Sequence, residues 1–205
     1  MGMSQPVSSR TRRAGGSRRA VVLGQVVEVL AVRGFAGTRF ADVSEASGVA
    51  VSTLQGYFGS REDMLIEALR GATSGEVAAL HDLAAGFDDP WQQLVTLVDR
   101  GLSTSAATWR MLMEFWTAAA HDAELHDHAA ALAAQYREPF TDAMRRGIES
   151  GVFTPRFDVS AIVDVVVATM DGLLYPVVLG HRGSDDMDYR DVVLAQLSFV
   201  LGTDA

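Results

Sequence analysis

The stretch from Thr38 to Glu62, TRFADVSEASGVAVSTLQGYFGSRE, decides the reading of this chain. Phe40, Val43 and Ala46 recur at helical spacing and predict a short helix with one inward face. Thr38 suits the cap at its start, with Gly37 before it allowing a sharp entry. Gly48 falls where that helix must stop, because glycine tolerates the left-handed conformation of a tight helix end. Ser44, four residues earlier, is small enough to let a second helix come close. Val49 and Leu54 supply the inward contacts of that second helix, and Phe58 closes it. Ser60 followed by Asp63 reads as a capping pair that opens a further helix. Ser52, Thr53, Gln55, Gly56 and Tyr57 are left facing outward. Two short helices joined at a glycine, the second with small polar side chains outward, form a helix-turn-helix. Such a unit fits a DNA major groove.

The outward residues suit that use. Ser52, Thr53 and Gln55 can hydrogen-bond base edges, and glutamine matches adenine. Tyr57 and Thr38 can donate to phosphate oxygens, Arg39 and Arg61 add positive charge, and the nearby helix N-termini can hold a phosphate. A net charge of −9 argues against DNA binding until its distribution is read. Residues 1–61 carry eight arginines against three acids, and residues 62–205 carry nine against 23. A basic head on an acidic body attracts a phosphate backbone at one end only.

The same residues carry a family resemblance. The helix ending in Arg33-Gly34-Phe35, then Thr38, Asp42-Val43, Gly48-Val49, Ser52-Thr53-Leu54, Tyr57-Phe58-Gly59-Ser60 and Arg61-Glu62 resemble the head of the TetR family of bacterial repressors. The resemblance is dense from Arg18 to Leu69 and only architectural beyond. It departs at Gln55, where the family usually has an aromatic, at Gly56, where a larger residue is common, and at Arg61, where lysine is usual. It implies a homodimer on a near-palindromic double-stranded DNA operator, released when a small-molecule effector shifts the conformational population.

Outside this stretch the chain reads as all-α, with a three-helix helix-turn-helix domain followed by a helical domain for ligand binding and dimerisation. Residues 1–17 have little to bury and are expected to be a disordered basic tail. Residues 18–64 form the DNA-binding domain and residues 65–205 the effector-binding and dimerisation domain. A first helix from Ser17 or Arg18 to Arg33 carries Val22, Val26, Val29 and Leu30 as its core stripe. A fourth helix begins near Arg61, and Gly71 and Gly75 in its middle either soften it or let another helix pack close. Asp89-Pro90 starts a fifth helix, and a very apolar one follows from Thr108 to Ala120. A long helix through Pro139 comes next, then two terminal helices too apolar for the surface of a monomer, which predicts their pairing with a second copy.

Trp109, Met113, Trp116, Tyr136, Phe140, Met144, Met170 and Tyr175 are the candidates for lining a cavity, and their mix of aromatic and methionine suits a largely apolar effector. Glu114 and Asp171 are candidate charged anchors. His121, Glu124, His126 and His128 are metal-ligand types, but the segment is polar enough to be a solvated helix start, so no metal is assigned. No cofactor is assigned either. The chain has no cysteine, which removes disulfides and thiolate metal sites. No Walker-type loop, Gly-x-Ser-x-Gly elbow or HExxH occurs, which argues against an enzyme. Asp164, Asp171 and Pro176 interrupt the longest apolar stretch, so no membrane span is expected and the location is taken as cytoplasmic. The alternative readings are an architectural DNA-binding protein without an effector and a helical enzyme.

Overall fold

The computed structural model describes residues 9–181 and 189–203, with backbone alone at 9–17 and 124. These residues are all-helical, as the periodicity predicts. The chain divides into two compact units between Ala72 and Thr73. That division lies inside a helix rather than at the expected 64/65 boundary. Met64, Leu65, Ala68 and Leu69 are buried and stand on the head side of it.

The head contains α1 (Ser9–Gly37), α2 (Phe40–Ser47), α3 (Val51–Phe58) and the first half of α4 (Arg61–Ala85). The segment 9–17, expected to lack structure, continues α1 backwards, while residues 1–8 lie outside the described ones. Val22, Val26 and Leu30 are buried at helical spacing, and Val29 is half-buried. Gly34 leaves helical geometry at φ 73°, ψ 172°, which turns Phe35 into the core. Thr38 is not the cap of α2. It is fully buried, and its hydroxyl donates to the Gly34 carbonyl at 2.7 Å. The cap position falls to Arg39, whose backbone N–H donates to Asp42 Oδ2 at 2.8 Å. Of the expected inward face of α2, Val43 is buried, Phe40 half-buried and Ala46 exposed. Each step of three residues falls about 60° short of a full turn, so Ala46 has drifted about 120° from Phe40 and out of the inward face.

The body contains the rest of α4, α5 (Pro90–Leu102), α6 (Ala106–Ala119), α7 (Ala123–Glu149), α8 (Val159–Val178) and α9 (Arg190–Leu201). Asp89 caps α5 by accepting from the Trp91 N–H, with Pro90 at the first helical position. Asp158 caps α8 by accepting from the N–H groups of Ser160 and Ala161. Leu94, Leu97 and Val98 of α5 meet Phe140 and Met144 of α7, Ile162, Val166 and Met170 of α8, and Val193 and Leu197 of α9 in one core. Helix α6 packs on α7 and α8. Where α7 ends, the Phe153 ring lies over Gly147, in the space a β-carbon would fill. The N–H groups of Thr154 and Arg156 then donate to the carbonyls of Leu201 and Val200, tying this loop to the end of α9. Helix α8 is long and apolar enough to cross a membrane by length and composition. Ile162, Val163, Val166, Met170 and Leu174 along it are buried in the core.

Candidate nucleic-acid interface

The turn between α2 and α3 rests on Gly48 at φ 67°, ψ 15°, whose N–H donates to the Ser44 carbonyl at 3.0 Å. A side chain here would be strained, since left-handed backbone costs about 1–2 kcal/mol for any residue with a β-carbon. Val49 then turns inward, and the Ser47 hydroxyl links the two sides by donating to Val43 O and accepting from Val49 N–H. Leu54 and Phe58 anchor α3 in the head. No side chain caps α3, whose first turn at Val51 and Ser52 is exposed. Open N–H groups there form an anion-seeking end.

Anchoring Leu54 and Phe58 fixes what α3 presents. Ser52, Thr53, Gln55 and Gly56 are exposed, while Tyr57, expected on the same outward face, is half-buried. At Gly56 a β-carbon would meet nothing within 4 Å, so the chain's own packing does not demand glycine there. The bare backbone leaves room for something approaching from outside. Arg39 stands exposed at the start of α2.

Two residues expected at phosphates are committed elsewhere. Thr38 is buried and spends its hydroxyl on Gly34. The Arg61 guanidinium donates from Nε to Thr38 O at 2.6 Å and from Nη2 to Phe35 O, and it lies 5.5 Å from the centre of the Phe35 ring. Its Nη1 meets Glu62 at 3.0 Å. Arg61 therefore pins the α1–α2 connection to the start of α4. Sequence reasoning missed a second clamp: Arg19 pairs with Glu67, donates to the Tyr57 carbonyl at 3.3 Å and stacks 4.9 Å from the centre of the Phe58 ring. One arginine among the five early in α1 gives no sign of partners 38 and 48 residues away.

In the body, Trp109, Phe140, Met144 and Met170 are buried, and Met113, Trp116 and Tyr136 are half-buried. Phe140, Met144 and Met170 share the core, with Tyr136 packed against it. Trp109 and Trp116 meet edge to face, centres 5.2 Å apart. The indole N–H of Trp109 is buried without an acceptor among the described residues. Tyr175 is half exposed on α8. Burial pushes the Asp171 carboxyl up to about 6, with Arg137 opposing the shift. His121 and His126 are exposed, and the side chain of Glu124 lies outside the described residues.

The comparisons agree with this geometry. Residues 25–68 match the family model described as bacterial regulatory proteins, tetR family. Residues 90–202 match that of the BetI-type transcriptional repressor, C-terminal. The chain belongs to the TetR family. It is a DNA-binding transcriptional repressor, not an enzyme. The transcriptional repressor KstR2 of Mycobacterium tuberculosis is 26% identical over 201 residues, covering 91% of this chain and 92% of its own length. Among solved structures, a putative regulator from Saccharomonospora viridis in complex with choline is 23% identical with a TM-score of 0.75, covering 92% of this chain and 97% of that one. FadR from Bacillus subtilis in complex with stearoyl-CoA is 19% identical with a TM-score of 0.74, covering 88% and 97%. Both share the fold of this TetR-family chain.

Proposed function

We propose that this TetR-family repressor reads its operator as a two-fold dimer in the cytoplasm and leaves it when a small, largely apolar effector enters the body. The single observation that carries the operator reading is the face of α3, where Ser52, Thr53, Gln55 and the bare backbone at Gly56 stand exposed over a buried Leu54 and Phe58. Serine, threonine and glutamine read base edges, while Arg39 and Tyr57 hold the flanking phosphates.

The dimer reading draws on α8 and α9. Phe157, Val165, Val192 and Phe199 are each more than half exposed, and an open apolar groove of about 460 Å³ between the two helices is lined by Phe157, Val165 and Val200 among others. Apolar surface of this kind is stable once covered, and a second copy covers it symmetrically. None of the expected effector-lining residues lies in this groove.

The effector reading draws on the relatives captured with choline and with stearoyl-CoA. In this chain it draws on the unpaired Trp109 N–H and the half-buried Asp171, carried by helices that pack on each other. A buried donor without a partner costs about 1–3 kcal/mol, which an acceptor on a ligand recovers. Trp109, Met113, Trp116 and Tyr136 form the walls, backed by Phe140, Met144 and Met170.

Fluorescence anisotropy with DNA from upstream of the gene, across a salt series, tests the operator reading. Tight, salt-sensitive binding drops about 100-fold in the Gln55→Ala, Tyr57→Ala double variant. Binding indifferent to that variant would remove α3 as the reading element.

A further inference from the structure

Outside the head and the aromatic face of the body, the fold brings together three side chains that no motif announces. His81 lies on the body half of α4, and Glu138 and Asp142 lie one turn apart on α7. One ligand atom from each, an imidazole nitrogen and two carboxylate oxygens, lies within 4.8 Å of the other two. It is the one such grouping of histidine and acids among the described residues. We propose that His81, Glu138 and Asp142 form a binding site for one first-row divalent transition ion, which clasps α4 to α7.

Two carboxylates at i and i+4 on one helix repel each other and weaken it by a few tenths of a kcal/mol. A shared cation reverses the sign of that contact. Ligands around a single ion at bond lengths of about 2.0–2.2 Å stand roughly 3.0–3.5 Å apart. Closing the site from 4.8 Å or less therefore takes side-chain rotation, with both helices left in place. His81 and Asp142 are half-buried and Glu138 is exposed, so the grouping is partly covered and still open to an ion and its remaining waters. The donor set decides the class of ion. One nitrogen and two oxygens suit zinc, nickel, cobalt or iron(II), whereas magnesium and calcium take all-oxygen sites with more ligands. Asp142 now faces Arg145 of its own helix across 3.6 Å, a loose surface pair that an ion displaces.

Because His81 sits near the end of α4, the helix along which the chain leaves the head, an ion there would stiffen the body end of that helix. The site does not rest on the operator or effector readings, and its test needs neither.

Isothermal titration of the EDTA-stripped full chain with Zn²⁺ and Ni²⁺ tests the site. One ion per chain is expected, unaffected by millimolar Mg²⁺. Affinity falls roughly tenfold or more in His81→Ala and in Asp142→Asn, and rises in Arg145→Ala, which leaves all three ligands intact. A His126→Ala, His128→Ala variant binds as the parent does. Circular dichroism checks that each variant stays helical. Absence of saturable binding, binding that survives His81→Ala, or binding lost in the His126, His128 variant would each overturn the site.

Discussion

The head and the body bury their apolar residues to different ends. In the head, Leu54, Phe58 and Val43 are fully or almost fully buried, and what remains outside on α3 beyond its first residue, Val51, is polar or glycine. Its other exposed valines, Val21 and Val32, stand on α1. In the body, large apolar side chains stay outside together: Phe157 and Val165 line one groove, and Val192 and Phe199 stand exposed on the neighbouring α9. The head is thus a finished surface that offers hydrogen bonds. The body has an unfinished one that becomes stable when covered. The arginines differ in the same way. Arg19 and Arg61 are drawn into the head as clamps on backbone carbonyls and aromatic rings, while Arg100 and Arg190 in the body meet Glu76 and Asp99 as surface pairs.

The sharpest way to break this contrast is to charge the body's open face. Val165→Asp with Phe199→Asp should weaken self-association by about 100-fold or more, because each carboxylate would have to be desolvated at a covered face. Sedimentation velocity reads this directly, and an unchanged mass would mean that the face is not where copies meet. Next comes Arg61→Met, which removes two bonds to carbonyls and the contact over Phe35. It should cost about 2–3 kcal/mol of head stability in urea unfolding. If it instead weakened DNA binding with stability intact, Arg61 would belong to the reading surface and not to the scaffold.

Gly48→Ala should cost about 1–2 kcal/mol, through the positive φ alone, since no atom lies within 4 Å of an added β-carbon. A melting temperature equal to the parent's would mean that the turn relaxes. The smallest effect belongs to Asp171. Its folded pKa of about 6 lies above the ordinary carboxyl value of 3.8, so the unfolded chain releases this proton first. Stability therefore falls as pH rises through that window and stays lowered above it. Asp171→Asn should stabilise the protein by up to about 1 kcal/mol at pH 7, after discounting for solvent screening, and by nothing below pH 4. Thermal melts of both proteins from pH 4 to 8 decide this; a gap that does not grow with pH would show the carboxyl is well solvated.

Gly71 and Gly75 illustrate where a pattern left two answers open. Close packing of another helix and a softened centre are both compatible with the sequence. In the structure α4 runs unbroken through both, and a β-carbon at either would meet nothing within 4 Å. No other element of the described chain demands glycine there, which leaves the softened helix as the reading.

The sequence by itself determined what depends on neighbours a few residues apart. The Gly48 turn, the Ser60–Asp63 cap, the Asp89-Pro90 start and the outward face of α3 all follow from helical spacing and local hydrogen bonds. Thr38 and Arg61 were legible as members of the head but not in their roles. Whether a hydroxyl or guanidinium points to water or to a carbonyl 4 or 23 residues away is settled by how α1, α2 and α4 pack. The same holds for Tyr175, whose half exposure on α8 is set by how that helix is rotated in the body. The meeting of His81 with Glu138 and Asp142, across 57 residues of chain, belongs wholly to the tertiary structure. Periodicity fixes which face of a helix turns inward, but only packing decides which helix that face will meet.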